Sequence, residues 1–373
     1  MTPWLISLGT VLAVYFLDRW ENKYIKSLFD WVPAILLAYL IPAGLSALIG
    51  QDYAGHAIHQ YSKLYFIPLA ILAVMSSLSL PQLQAIGWKP ILVFVAGSCW
   101  IALFPVLLML AMGGSLLVDD ILIEQGYWMG IPPIVGSWIG GSTSQLVLKE
   151  LVNCPEAIFL TVLVFDNILV NIWTILMFQG IKRSDSINRL LKIQSQEVPE
   201  AIRDLDRPRM HPLLTAGILL FTVLITNFLI DSFIAKVVLL SILGLVLSNV
   251  IPKWNFQFAL KAGGILILTV MAVLGLKLNF SLVEFDPGFL LFLIVWLVSH
   301  FFLMLFVAWL LNVNAAWVPI ASMANVGGIA TAPAVTAAYR KSWMPHAIVL
   351  AILSMATGTF WGMVTIYLLK LFL

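Results

Sequence analysis

Two short stretches hold most of the polar chemistry of this chain. "GSWIGGSTSQ" (136–145) sets Gly140 and Gly141 ahead of Ser142, Thr143, Ser144 and Gln145. "SMANVGGIATAPAV" (322–335) repeats the pair as Gly327 and Gly328, with Asn325 before it and Thr331 after it. A Gly-Gly break exposes peptide N–H and C=O groups and lets the backbone approach a ligand closely. The helix start beyond such a break carries partial positive charge and suits an anionic group, while unwound carbonyls suit Na⁺. These ten residues are therefore the expected substrate-binding set. A second reading needs no ligand: Gly136 and Gly140, four apart, also form a small-xxx-small packing pattern.

The third signal is "FDNILVN" (165–171). Asp166 lies about ten residues into an apolar run, which places it near mid-membrane at 1.5 Å per residue. A carboxylate at that depth marks an ion or proton path by default. Asn167 adjoins it and Asn171 falls on a similar face. Aligning the halves on Pro155 and Pro345 puts Ala356 and Thr357 at the equivalent place. Asp166, Asn167, Asn171 and Thr357 are the expected ion-coupling residues, with Na⁺ near Asp166 as the metal. The alternative role for Asp166 is a strut bonded to the neighbouring broken segment. Ser354 and Thr359 line the last apolar run with Thr357 and could face the site. His300 is mid-span, and the expectation for a lone histidine there is a satisfied hydrogen bond between helices.

The elements that must position these groups are read from hydropathy. Of 373 residues, 61% are apolar and 10% charged, with a mean hydropathy of +1.01, which describes an integral membrane protein. Continuous apolar runs fall at about 3–17, 31–50, 64–82, 90–118, 156–180, 212–231, 234–251, 257–277, 286–311 and 345–373. Most reach the length a helix needs to cross hydrocarbon, and none shows the alternation of a β-barrel. The first run has no basic residue before it and no small-residue cleavage site, so it is expected to be a retained span. The net charge of +2 and the absence of a basic cluster give no expectation of nucleic acid. Two cysteines, Cys99 and Cys154, make neither a disulfide framework nor a zinc site.

The chain reads as two copies of one plan. "PEAIFLTVL" (155–163) returns as "PHAIVLAIL" (345–353), each after a Gly-Gly segment. The expected domains are a first membrane repeat at 1–181, a cytoplasmic linker at 182–211 and a second repeat at 212–373. The linker holds seven Lys/Arg and five Asp/Glu. If both Gly-Gly segments cross the membrane there are twelve crossings, and Lys/Arg divide 11 inside to 9 outside. If both are re-entrant there are ten, and the division becomes 15 to 5, the expected positive-inside bias. The re-entrant count also makes the repeats inverted, as in many secondary transporters.

With these motifs in place, "GSWIGGSTSQLVLKE", "FDNILVN" and "ANVGGIATAPAVTAA" resemble the signature segments of the YjcL-like integral membrane family, domain of unknown function 819. The matching residues are Gly140, Gly141, Asp166, Asn167, Asn325, Gly327, Gly328, Ala330, Thr331 and Ala332. Ser-Thr-Ser-Gln after the first pair is where other members vary. That family is similar in plan to the sodium/proton antiporter and bile-acid symporter superfamily. The resemblance implies an all-α fold of two inverted repeats, each of about five transmembrane helices plus a broken or re-entrant helix, with an elevator-type core and scaffold.

The resulting expectation is an ion-coupled secondary transporter, driven by Na⁺ or H⁺, of a small polar or anionic organic solute. It would be a homodimer in the lipid bilayer of the inner (cytoplasmic) membrane. The alternatives are a cation/proton exchanger or a passive facilitator. An enzyme is not expected, because no HExxH, Walker, GxSxG or metal-ligand motif is present.

Overall fold

A backbone in hydrocarbon has no water to bond, so it must satisfy its own N–H and C=O groups, and the apolar runs fold as helices. The computed structural model describes residues 2–23, 25, 34–77, 85–194, 209–278 and 285–373, and every regular element among them is helical. The first half carries α1 (Thr2–Arg19), α2 (Ala34–Ile49), α3 (Ile58–Met75), α4 (Trp88–Met112), α5 (Ile131–Val152) and α6 (Glu156–Lys182). The short α7 (Ser184–Leu190) follows. The second half carries α8 (Pro212–Leu229), α9 (Phe233–Val250), α10 (Phe256–Gly275), α11 (Pro287–Leu310), α12 (Trp317–Val326), α13 (Gly328–Ala337) and α14 (Met344–Phe372).

Eight of these, α3, α4, α6, α8, α9, α10, α11 and α14, are long and apolar enough to cross a membrane, so the chain is a multi-pass membrane protein. Helix α2 contributes a shorter apolar stretch, Leu36–Ile49, and α1 is not among the eight. Of the linker expected at 182–211, residues 195–208 lie outside the described residues, as do Lys26 of the charge count and the end of the run at 64–82.

The chain forms two compact units, and both halves contribute to each. The first unit comprises Met1–Ser77, Cys154–Ile168 and Arg207–Phe285. Within it α10 packs on α1, α2 and α3, and α3 also carries α8 and α9. Glycines set these distances: a Cβ on Gly275 would strike the Tyr39 carbonyl of α2, and one on Gly244 would lie 2.6 Å from Met75 Cβ. Tyr39 Oη donates to Glu156 Oε2 at 2.9 Å, and Asn227 Nδ2 donates to the Leu64 carbonyl at 2.6 Å.

The second unit comprises Leu78–Asn153, Leu169–Asp206 and Asp286–Leu373. Here α5 packs along α14, α4 packs along α11, and α12 touches both α4 and α14. Pro287 opens α11, and Asp286 caps it by accepting from Phe289 N at 2.8 Å. Pro at the first turn forgoes a hydrogen bond that no helix start makes, so the cap sets the start of α11.

Candidate functional site

The two Gly-Gly segments are helical hairpins, not straight helices. In α5 the break is at Gly141, with φ 67° and ψ −167°, a region essentially reserved for glycine. Around it the chain doubles back. A Cβ on Gly136 would lie 2.8 Å from Gln145 N, whereas a straight helix would separate those residues by about 13 Å. The second break is at Gly328, with φ 70°. The feet of that segment meet: Asn314 Nδ2 donates to Tyr339 Oη at 3.3 Å, and the Trp317 and Trp343 rings stack at 5.0 Å.

Within each pair the glycines divide the work. The first packs. A Cβ on Gly140 would collide with Ser144 Oγ and the Gly358 backbone, and one on Gly327 would collide with Thr331 Oγ1 and Met323 Cε. The second bends, and a Cβ on either Gly141 or Gly328 would meet nothing within 4 Å. Both hairpins thus pair a glycine with a hydroxyl four residues on, and both turn on a glycine that faces open space. The small-xxx-small reading holds for Gly136 and Gly140, which pack on Leu148 and Gly358, and does not account for Gly141 or Gly328.

Below the second tip, Asn325 joins helices distant in sequence. Ser98 of α4 donates to Asn325 Oδ1 at 3.1 Å, and Ser354 of α14 lies 2.9 Å from the same oxygen. The Ser354 hydroxyl also reaches the Ile139 carbonyl of the first hairpin. One hydroxyl proton serves one acceptor at a time, so Ser354 can bond either hairpin in turn. Asn325 Nδ2 faces the Phe94 carbonyl at 3.5 Å. The Asn325 side chain is therefore buried and bonded, a brace for the hairpins in this state.

The remaining expected residues separate. Ser144 is buried and accepts from Thr359 Oγ1 at 3.0 Å, Gln145 is buried, and Ser142 is half-buried. Thr143 Oγ1 and Thr331 Oγ1 are buried with no hydrogen-bond partner among the described residues. Thr357 Oγ1 bonds within its own helix, to the Leu353 carbonyl at 3.1 Å. Asp166, 8% exposed, and half-buried Asn167 belong to the first unit, whereas Asn171 and both hairpins belong to the second.

Three features differ from the sequence expectation or escaped it. His300, expected to bond a neighbouring helix, has no hydrogen-bond partner on either ring nitrogen among the described residues. Gly358 was not singled out, although Gly358 and Gly362 repeat the four-residue spacing that marks the first hairpin. Ser98 carried no sequence signal, since one serine in an apolar helix has no pattern of its own. Among the described residues no group of three or more His, Cys, Asp or Glu side chains is placed to hold a metal ion.

The family model described as "Protein of unknown function (DUF819)" matches residues 7–372. No curated protein matches the chain.

Proposed function

The chain belongs to the DUF819 family, and from its paired glycine hairpins we propose that it is an ion-coupled secondary transporter of a small polar or anionic organic solute. The observation that carries this reading is the repetition of one device: a hairpin turning on a positive-φ glycine that faces open space, at Gly141 and again at Gly328. The arm after each turn begins with backbone N–H groups that lack intrahelical partners, at the positive end of the helix dipole. From 125 to 148 and from 312 to 339 there is no charged side chain, so backbone and hydroxyl groups are what each tip offers an anionic solute.

Hairpins that return to the face they left add no crossing. Helices α1–α4 and α6 then make five crossings in the first repeat, and α8–α11 and α14 make five in the second. An odd number inverts the second repeat, which agrees with the 15 to 5 division of Lys/Arg. Alternating access by an elevator motion fits the way both halves supply helices to each compact unit: α1–α3 with α8–α10, and α4–α5 with α11–α14, while α6 is divided between the units after Ile168. Asp166, in the first unit, is the proposed coupling-ion residue, and the inner membrane the proposed location.

The test is thermal unfolding of the purified chain against a panel of amino acids, short peptides and carboxylates, each with and without Na⁺. A ligand that binds the folded state raises the melting temperature by mass action, by about 2.7 kcal/mol of stability at a hundredfold excess over Kd. A shift that needs a solute supports the transporter. A shift with Na⁺ or pH alone, and with no solute, replaces it by a cation/proton exchanger.

A further inference from the structure

His300 sits inside α11, in the second unit, with a side chain 0% exposed. It faces α4 at a glycine: a Cβ on Gly97 would lie 2.8 Å from His300 Nε2 and 2.7 Å from Met304 Sδ. A neutral imidazole carries one N–H donor and one lone-pair acceptor, and here neither has a partner among the described residues. Burying such groups without partners costs stability, so an apolar side chain of the same shape would serve packing better. Two neighbouring hydroxyls are engaged, and Trp296 Nε1, one turn before His300, is likewise buried with no partner among the described residues. Ser299 accepts from Trp100 Nε1 at 2.9 Å and bonds the Trp296 carbonyl, and Ser98, next to Gly97, bonds Asn325.

We propose that His300 is a proton-binding site of the hairpin unit, closed in the present state and hydrated when α4 and α11 part. The inference rests on the transport reading for its purpose and adds the proton as an ion that the hairpin unit itself carries. In the closed seam an imidazolium would be a bare charge in an apolar medium, which is far costlier than the neutral ring. Opening the seam gives the ring water, and with it the means to bind a proton; closing requires that the proton leave. Ser98 lies one residue from Gly97 and holds Asn325, so parting this seam also loosens the brace below the second hairpin.

Among the described residues, no titratable neighbour supplies a simpler account. Helix α4 carries Lys89 at its first turn and Cys99 two residues beyond Gly97, and α12 carries none. Asp119, Asp120 and Glu124 lie in the helical turn Leu117–Glu124, which meets α11 at Gly288, about 18 Å along the helix from His300. Helix α5 reaches α11 through Trp138 on Trp296, with Lys149 and Glu150 at its far end. Helix α6 reaches it through Trp173 on Phe301, and the charge it brings from the second unit is Lys182, at its end.

The experiment is ¹⁵N NMR of histidine-labelled full chain in lipid vesicles, with no solute added, between about pH 8 and pH 5. The chain has five histidines, and His300→Gln identifies the ring signal by its loss. If that variant does not fold, replacing His56, His59, His211 and His346 by Gln leaves His300 as the sole ring. The expected result is conversion of the His300 ring from neutral to imidazolium while the protein stays folded. Amide exchange along α4 and α11 should rise about tenfold with it, and not in His300→Gln. A ring that stays neutral to about pH 5 in the folded protein, or exchange that rises equally in the variant, overturns the proposal. A solute-dependent thermal shift would survive that outcome, and a titrating ring would survive failure to find a solute, so the two readings fall separately.

Discussion

Gly358 of α14 lies against Gly140 of the first hairpin, backbone to backbone: a Cβ on Gly358 would collide with both Gly140 Cα and Gly140 N. Neither residue has room for a methyl group. Gly358→Ala is expected to destabilise the protein by about 1–3 kcal/mol, the usual cost of overpacking. Thermal unfolding in detergent measures it. Gly264→Ala is the matched control, since a Cβ there meets nothing within 4 Å in the interior of α10. That change should be neutral or stabilise by about 0.5–1 kcal/mol, because alanine favours a helix over glycine.

Gly141 and Gly328 fail for a different reason. Substitution there clashes with nothing and strains only the backbone, so Gly141→Ala should cost about 1–3 kcal/mol. Gly328→Val adds side-chain volume to the open tip. It is expected to abolish the solute-dependent rise in melting temperature in protein that retains its helical circular dichroism. A normal shift in that variant would assign the tip to packing alone.

Asn325 is bonded from two helices through one oxygen, so its partners should act as a unit. Asn325→Ala removes one shared acceptor but leaves Ser98 the Phe94 carbonyl and Ser354 the Ile139 carbonyl, so the cost should be that of lost hydrogen bonds, about 0.5–1.5 kcal/mol each. The double variant Asn325→Ala, Ser354→Ala should be less destabilised than the sum of the singles, by about 0.5 kcal/mol or more. Additive unfolding energies would show that the two side chains do not depend on each other.

Asp166→Asn keeps size and burial while removing charge. The expected outcome is a folded protein whose solute-dependent thermal shift no longer responds to Na⁺ or pH. An unchanged ion response would leave Asp166 as a structural strut.

Hairpin geometry predicts where labels reach. Gln125→Cys and Pro155→Cys flank the first hairpin at exposed positions, and Asn312→Cys and Ala338→Cys flank the second. In a Cys99→Ser, Cys154→Ser background, the first two should react with an impermeant maleimide from outside intact cells and the last two only after permeabilisation. One label of a pair on each side would mean that the segment crosses.

Much of the site was legible because its signals are local. Gly140-Gly141 and Gly327-Gly328 are breaks wherever they occur in an apolar run, and hydroxyls beside them are visible as residues. Ser354 and Thr359 could be named from their place in the last helix, and both bond a hairpin residue, Asn325 and Ser144. The role of Asn325 was not legible. As a residue near a tip it reads as a ligand, and only its distances to Ser98 and Ser354 make it a brace. His300 went the other way, from an expected bonded side chain to one with neither nitrogen partnered among the described residues.

By itself, the sequence determined the membrane character, the helices and the two places where helix gives way. Hydropathy and backbone freedom are properties of a residue and its near neighbours, and they can be read along one dimension. Only the tertiary structure decided that the broken segments fold back, which glycine of each pair packs and which bends, and which polar groups are bonded. Those outcomes turn on contacts of about 3 Å between helices far apart in the chain, such as Gly140 with Gly358, and no local pattern encodes them.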